Sequence, residues 1–266
     1  MSVCIVAQYP WQAVKELVGS EPPGAIICSD TRASSTSGYI FPILLAKQIG
    51  FSKNLITCYT SSHVDATVAA FNKVGSTRNI KKIGQALKQA HSKFGGTTAL
   101  IATVWHKKNP TPKILEVMPP EYIPKPCFGI VGIGHIGILH RFKELMEEDP
   151  TRGLPIEPTP QIINGLSKFL GEPVHFRSRF PLMKAGARIG AMLSQAIEEL
   201  NHFSVGLPIQ LTTISKGKVE AWEGKIRRQP GKWDPITDND KLVLPYRVPH
   251  QIPLNKLQIK VEHLLE

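Results

Sequence analysis

Extended segments follow one another along this chain with only short connections, and its helical segments come in pairs. Apolar, β-branched runs at Ser2–Ala7 and Ala25–Cys28 read as strands of one hairpin, joined by a variable stretch, Gln8–Pro23. Ile43–Ile49 and Asn54–Tyr59 form a second candidate pair around the turn-type residues "GFSKN". The period then changes. Val64–Val74 and Ile80–Phe94 carry apolar residues at helical spacing, and Gly95–Gly96 stops the second of them. Three strand candidates follow, at Thr98–Trp105, Lys113–Met118 and Cys127–Val131. Helices are expected at Ile136–Glu148 and Lys184–His202, and further strands at Pro208–Ser215 and Lys218–Trp222. Strands that neighbour strands need antiparallel pairing, because a parallel pair requires a long crossover. The expected class is therefore α+β, with antiparallel sheets and segregated helices.

One stretch argues for a different class. "FGIVGIGHIG", Phe128–Gly137, places Gly132, Gly134 and Gly137 in the order of a dinucleotide-binding turn. That turn needs a βαβ unit with an acidic residue at the end of the next strand. Here Glu147, Glu148 and Asp149 close a helix, and the following residues, rich in proline and glycine, offer no strand. The glycines are instead expected to let a strand turn directly into a helix close to another backbone. No cofactor is expected.

The 266 residues suffice for a large core. No apolar run reaches the roughly 20 residues that span a bilayer, and "MSVCIVA" does not read as a secretory signal. No membrane association and a cytoplasmic location are the expectations. Cys4, Cys28, Cys58 and Cys127 form no C-x-x-C pair and read as buried free thiols rather than metal or redox ligands. The net charge of +11 is concentrated at Phe71–Lys93 and Phe176–Arg188. Without aromatic interleaving or a nucleic-acid motif, this charge points to a solvated face or an acidic neighbour rather than to nucleic acid. Asp149–Leu182 reads as an insertion with one short helix near Gln161–Leu170. Beyond Arg227 the chain is polar and proline-dotted, with a candidate strand at Leu242–Val248 and an amphipathic end at Asn255–Glu266.

"GAIICSDTRAS", Gly24–Ser34, is an apolar strand that ends in Asp-x-Arg-Ala-Ser. It resembles the proteasome β-subunit family of N-terminal-nucleophile hydrolases, in which a second strand ends in a similar Asp-Ser-Arg sequence. The resemblance continues in register over about Ser2–Trp222. Lys47 stands near the place of the family's lysine. "YTSSHVDA" is similar to its Ala-Gly-Gly-x-x-Asp turn, with Asp65 as the aspartate. "TTALIATVW" and "KILEVMPP" look like its central hairpin. "FGIVGIGHIG" falls at its Gly-Ser-Gly turn, and "NHFSVGLPIQLTTI" resembles its Asp-x-x-Ser-Gly-Gly segment. The resemblance implies a four-layer αββα sandwich, with residues 1–226 as the domain, an insertion at about 149–182 and a C-terminal extension at 227–266.

The resemblance also implies a mechanism. Ser2, exposed by removal of Met1, is the nucleophile and its α-amino group the base. Lys47 lowers the amine's pKa, with Asp30 as its charge partner. The backbone N–H of Ser61 is the oxyanion donor. Arg32 supports the strand end, and Ser204 helps hold the α-amine. The implied substrate is a peptide or protein, and the implied assembly a homo-oligomeric ring or partial ring. The sequence departs from the pattern in four places. Serine replaces the usual threonine at position 2. Thr60, Ser61 and Ser62 replace flexible glycines. Ile133 stands where a serine is expected, and Asn201 where an aspartate is expected. Ile133, Asn201 and the serine-substituted turn favour an alternative, a non-catalytic scaffold or binding subunit of the same fold, in which Asp30 and Arg32 form a structural ion pair. Lys47 also reads, more plainly, as an exposed edge-strand lysine, and Ser2 as an ordinary strand residue behind a retained Met1. His63, His135 and His140 read as structural.

Overall fold

The computed structural model describes residues 2–9, 23–34, 40–44, 47–106, 109–147, 182–207, 209–215, 218–224, 226–228 and 235–237. The hairpin expected at the N-terminus is β1 (Val3–Tyr9) and β2 (Gly24–Asp30), paired antiparallel with Cys4 opposite Ser29. They are the centre of a five-stranded sheet completed by β10 (Ile130–Gly134) beside β1, β11 (Ile209–Ser215) beside β2, and β12 (Lys218–Gly224) at the far edge. A second antiparallel sheet runs β5 (Gln48–Ser52), β6 (Leu55–Ser61), β7 (Thr98–His106), β8 (Asn109–Val117), β9 (Pro124–Cys127). Two short pairs stand apart, β3 (Arg32–Ser34) with β4 (Ile40–Leu44), and β13 (Ile226–Arg228) with β14 (Pro235–Thr237).

Three apolar layers hold these sheets between helices. β1 is buried on both faces, so its sequence is continuously apolar rather than alternating. Val3, Ile5 and Ala7 face α3 (Ile136–Glu147) and α4 (Leu182–Leu200), meeting Ile138, Phe142, Leu193 and Ile197. Cys4 and Val6 face the other way, into a layer between the sheets with Ile27, Cys58, Ile101, Trp105 and Ile133. On the outer face of the second sheet, α1 (Val64–Val74) and α2 (Ile80–Phe94) bury Phe71, Ile83 and Leu87 on Phe51, Leu55 and Tyr59. Phe71 meets Phe51 and Tyr59 edge to face at 5.2 and 5.3 Å, the arrangement that ring quadrupoles favour. The order helix, sheet, sheet, helix is the αββα sandwich.

Local chemistry sets the helix starts. The His63 Nδ1 accepts the Ala66 N–H at 3.2 Å, and the Asn79 Oδ1 accepts the Lys81 N–H at 3.0 Å. His135 opens α3 in the same way, its Nδ1 accepting the Ile138 N–H at 3.3 Å. The structural reading of His63 and His135 follows from these bonds.

Two expected strands are each divided. The run at Ile43–Ile49 ends as β4 at Leu44, and β5 begins at Gln48 in a different sheet. The run at Cys127–Val131 is broken at Gly129, whose positive φ of 74° takes the chain from β9 in one sheet to β10 in the other. Apolar residues flank each break within the expected runs, Leu44 and Ile49 at the first and Cys127, Phe128, Ile130 and Val131 at the second, so these runs do not reveal a change of sheet. The stretch expected at Lys113–Met118 is longer, beginning at Asn109. The readings at Gln161–Leu170, Leu242–Val248 and Asn255–Glu266 lie outside the described residues. Among those residues no helix is long and apolar enough to cross a membrane. Cys4, Cys28 and Cys58 are buried free thiols, and burial pushes Cys4 and Cys28 above the ordinary thiol range.

Candidate active site

β2 ends in Asp30, whose side chain is wholly buried. A carboxylate there requires donors on every side. The Val3 N–H donates to Oδ1 at 2.8 Å and the Lys47 ammonium to Oδ2 at 2.6 Å, while the Gly206 backbone also donates. Burial raises the Asp30 carboxyl above its ordinary range, against the opposing pull of Lys47 and the two N–H groups. Lys47 is equally buried, and its ammonium gives a second bond to the Arg32 carbonyl at 2.8 Å. It lies between β4 and β5 with its own carbonyl held by the Tyr59 N–H at 3.1 Å. It is therefore an interior lysine, and no exposed edge residue.

Ser2 immediately precedes Val3, so the Asp30–Lys47 pair is fastened to the first strand residue after the candidate nucleophile. Ser2 is buried, and its carbonyl accepts the His135 N–H at 2.9 Å. Gly134, at φ 116°, packs directly on that carbonyl.

Ser61 ends β6 opposite Thr98. The Tyr59 N–H points towards β5, to the Lys47 carbonyl. N–H groups two residues apart on a strand share a direction, so the Ser61 N–H points to the same side, at the edge where Lys47 enters. The Ser61 hydroxyl is turned away, meeting the Thr67 hydroxyl at 2.8 Å and the Thr98 hydroxyl at 3.2 Å.

Arg32 lies with its guanidinium over Gly206, and its Nη1 donates to the Phe203 carbonyl at 3.4 Å. This holds the 203–206 loop against the end of β2. Within that loop the Ser204 hydroxyl bonds the His202 Nδ1 at 2.7 Å. Asn201 is exposed, sits at φ 42° and gives its N–H to the Ile197 carbonyl at 2.9 Å, closing the last turn of α4. Ile133 lies opposite Cys4 and is buried between the sheets. The fold thus brings the Val3 N–H that follows Ser2, Lys47 and the Gly206 N–H to the Asp30 carboxylate, with Arg32 and the loop carrying Ser204 beside them and the Ser61 N–H facing their edge.

Sequence reasoning missed His202, Gly206 and the particular role of Gly134. Gly134 carried a signal, since it is the middle glycine of the turn already singled out. Gly206 stood in the "SVG" of the late segment. His202 carried none, because its partner is defined only by the loop's conformation.

No family model matches the chain, and no curated protein matches it. Solved structures do. The chain is similar to an Anbu (Gly-1) mutant from Hyphomicrobium sp. strain MC1, at 16% identity over 84% of this chain and 86% of that one, with a TM-score of 0.52. It is also similar to Anbu (ancestral beta-subunit) from Yersinia bercovieri, at 11% identity over 80% and 81% of the two chains, with a TM-score of 0.54. Likeness at these identities is likeness of fold, and it agrees with the proteasome-like αββα sandwich described above.

Proposed function

We propose that this protein is an N-terminal-nucleophile amidohydrolase acting on peptide bonds, with Ser2 as nucleophile after removal of Met1. The observation that carries the reading is the buried Lys47–Asp30 pair fastened to the Val3 N–H. A buried ion pair is a weak source of stability, and this one sits one residue from the end that would bear both nucleophile and base. The α-amine takes the Ser2 hydroxyl proton as Oγ attacks the carbonyl carbon. The Ser61 N–H receives the developing oxyanion. The amine then passes its proton to the leaving nitrogen as the peptide C–N bond breaks, and water hydrolyses the acyl-serine. The Lys47 cation keeps the α-amine neutral, below the roughly 7.7–8.0 of a free one. Ser204 holds that amine, and residues 1–226 form the domain, with 227–266 as an extension. The acting form is a homo-oligomeric ring or partial ring.

Intact mass should show loss of Met1, and a probe directed at N-terminal nucleophiles should label Ser2. Hydrolysis of peptide amides should disappear in Ser2→Ala. A retained Met1 in protein that still turns over would sink the mechanism. The second reading, a non-catalytic scaffold, is favoured by Ile133 and Asn201. Ile133 supplies apolar packing between the sheets, and Asn201 carries no carboxylate charge. It predicts normal assembly and no hydrolysis.

A further inference from the structure

The Ser204 backbone N–H approaches the His202 Nδ1 at 3.3 Å, and the Ser204 hydroxyl approaches the same atom at 2.7 Å. A backbone N–H can only donate, so this Nδ1 carries no proton and the ring is the Nε2–H tautomer. The hydroxyl must then donate as well, and its oxygen is left with accepting capacity alone. The 202–206 loop stands beside Ser2. Its Gly206 N–H reaches the carboxylate that also holds the Val3 N–H. The His202 ring lies 4.1 Å from the ring of His135, whose backbone N–H binds the Ser2 carbonyl.

We propose that His202 is a positioning residue that sets the direction of the Ser204 hydroxyl and thereby the availability of the α-amine as base. The inference rests on the peptidase reading. With His202 neutral, Ser204 accepts an N–H from the α-amine and leaves the amine's lone pair for the Ser2 hydroxyl proton. With His202 protonated, Nδ1–H donates to the Ser204 oxygen. The hydroxyl proton is released and competes for the amine's lone pair. One protonation two bonds away then switches off the base without touching Ser2. Among the described residues, the titratable and charged groups facing this loop are His135 from the start of α3, Arg32 from β3 and Asp30 from the end of β2, joined on the peptidase reading by the α-amine.

The test is kcat/KM for chromogenic peptide amides from about pH 5.5 to about 9, a range that spans the titrations of imidazole and α-amine. It uses the full-length processed protein and His202→Asn, His202→Ala and Ser204→Ala. Two protonations on the acid limb give a log–log slope of about two in the wild type. Asn keeps an acceptor oxygen near the Nδ1 position but does not titrate. His202→Asn should lose a few-fold at the alkaline plateau and fall with a slope of about one. His202→Ala and Ser204→Ala should each lose about tenfold, the worth of one hydrogen bond, and their double variant no more than either. Nitrogen-15 NMR at alkaline pH should show the His202 Nδ1 unprotonated. A protonated Nδ1, or coincident acid limbs in wild type and His202→Asn, overturns the inference alone. Turnover that does not depend on Ser2, or none at all, overturns the peptidase reading and this inference with it.

Discussion

Gly134 lies so close to Ser2 that a Cβ at position 134 would stand 1.9 Å from the Ser2 carbonyl oxygen. Its φ of 116° is also one that side chains rarely adopt. The strand-to-helix turn therefore serves as a seat for the start of the chain, and the adjoining His135 N–H fixes that start by its carbonyl.

Gly134→Ala should displace the N-terminal segment. Backbone strain alone is worth about 1–3 kcal/mol, and the clash adds to it. The denaturation midpoint should fall accordingly. On the peptidase reading, Ser2 labelling should be lost even at temperatures where the variant remains folded. An alanine variant with wild-type labelling would contradict the seat.

Removing one member of the buried ion pair leaves the other charge uncompensated. Lys47→Met and Asp30→Leu should each cost about 3–5 kcal/mol, read as a shift in the urea midpoint. The double variant should recover much of that loss. Recovery of stability without recovery of turnover would separate the pair's chemical role from its packing.

Gln48 follows Lys47 and joins the two sheets. Its Nε2 donates to the Ser29 hydroxyl at 3.0 Å and the Gln210 carbonyl at 2.9 Å, and its Oε1 accepts from the Thr212 hydroxyl at 2.5 Å. Gln48→Leu strands these buried groups, at about 1–3 kcal/mol for each left unpaired. Calorimetry should show a lowered Tm, with a smaller drop in Gln48→Glu only below the carboxylate range, where the acid can still donate.

His135 is held below the ordinary imidazole range, first by desolvation and then by the neighbouring His202. The unfolded chain therefore takes up the proton first as pH falls. Its contribution to stability is complete above the ordinary imidazole value near 6.5. It declines as pH drops from there towards the lowered folded value. His135→Asn, which keeps an acceptor for the Ile138 N–H, should flatten the stability profile in that window. An unchanged slope would place the titration elsewhere.

The amino-acid sequence by itself determined most of where the chain is extended and where it is helical, though not the short strands Arg32–Ser34, Ile226–Arg228 and Pro235–Thr237. Period two and period 3.6 are local properties, and the Val64–Val74 and Ile80–Phe94 helices stand where their spacing put them. It also excluded the dinucleotide fold, because a missing strand is visible locally. Asp30 and Lys47 were legible through spacing, in register with a known pattern. Only the tertiary structure decided which sheet each strand joins, since Pro124–Cys127 and Ile130–Gly134 part at Phe128–Gly129, inside one apolar run, through a positive φ at Gly129. It alone buried Lys47, because burial of a long cation depends on a carboxylate and a carbonyl supplied by other strands. It alone turned Ile133 into the inter-sheet core and Asn201 into a helix end, and brought His202 to Ser204. Those assignments depend on the direction in which a side chain points, and that direction comes from packing between segments far apart in the chain.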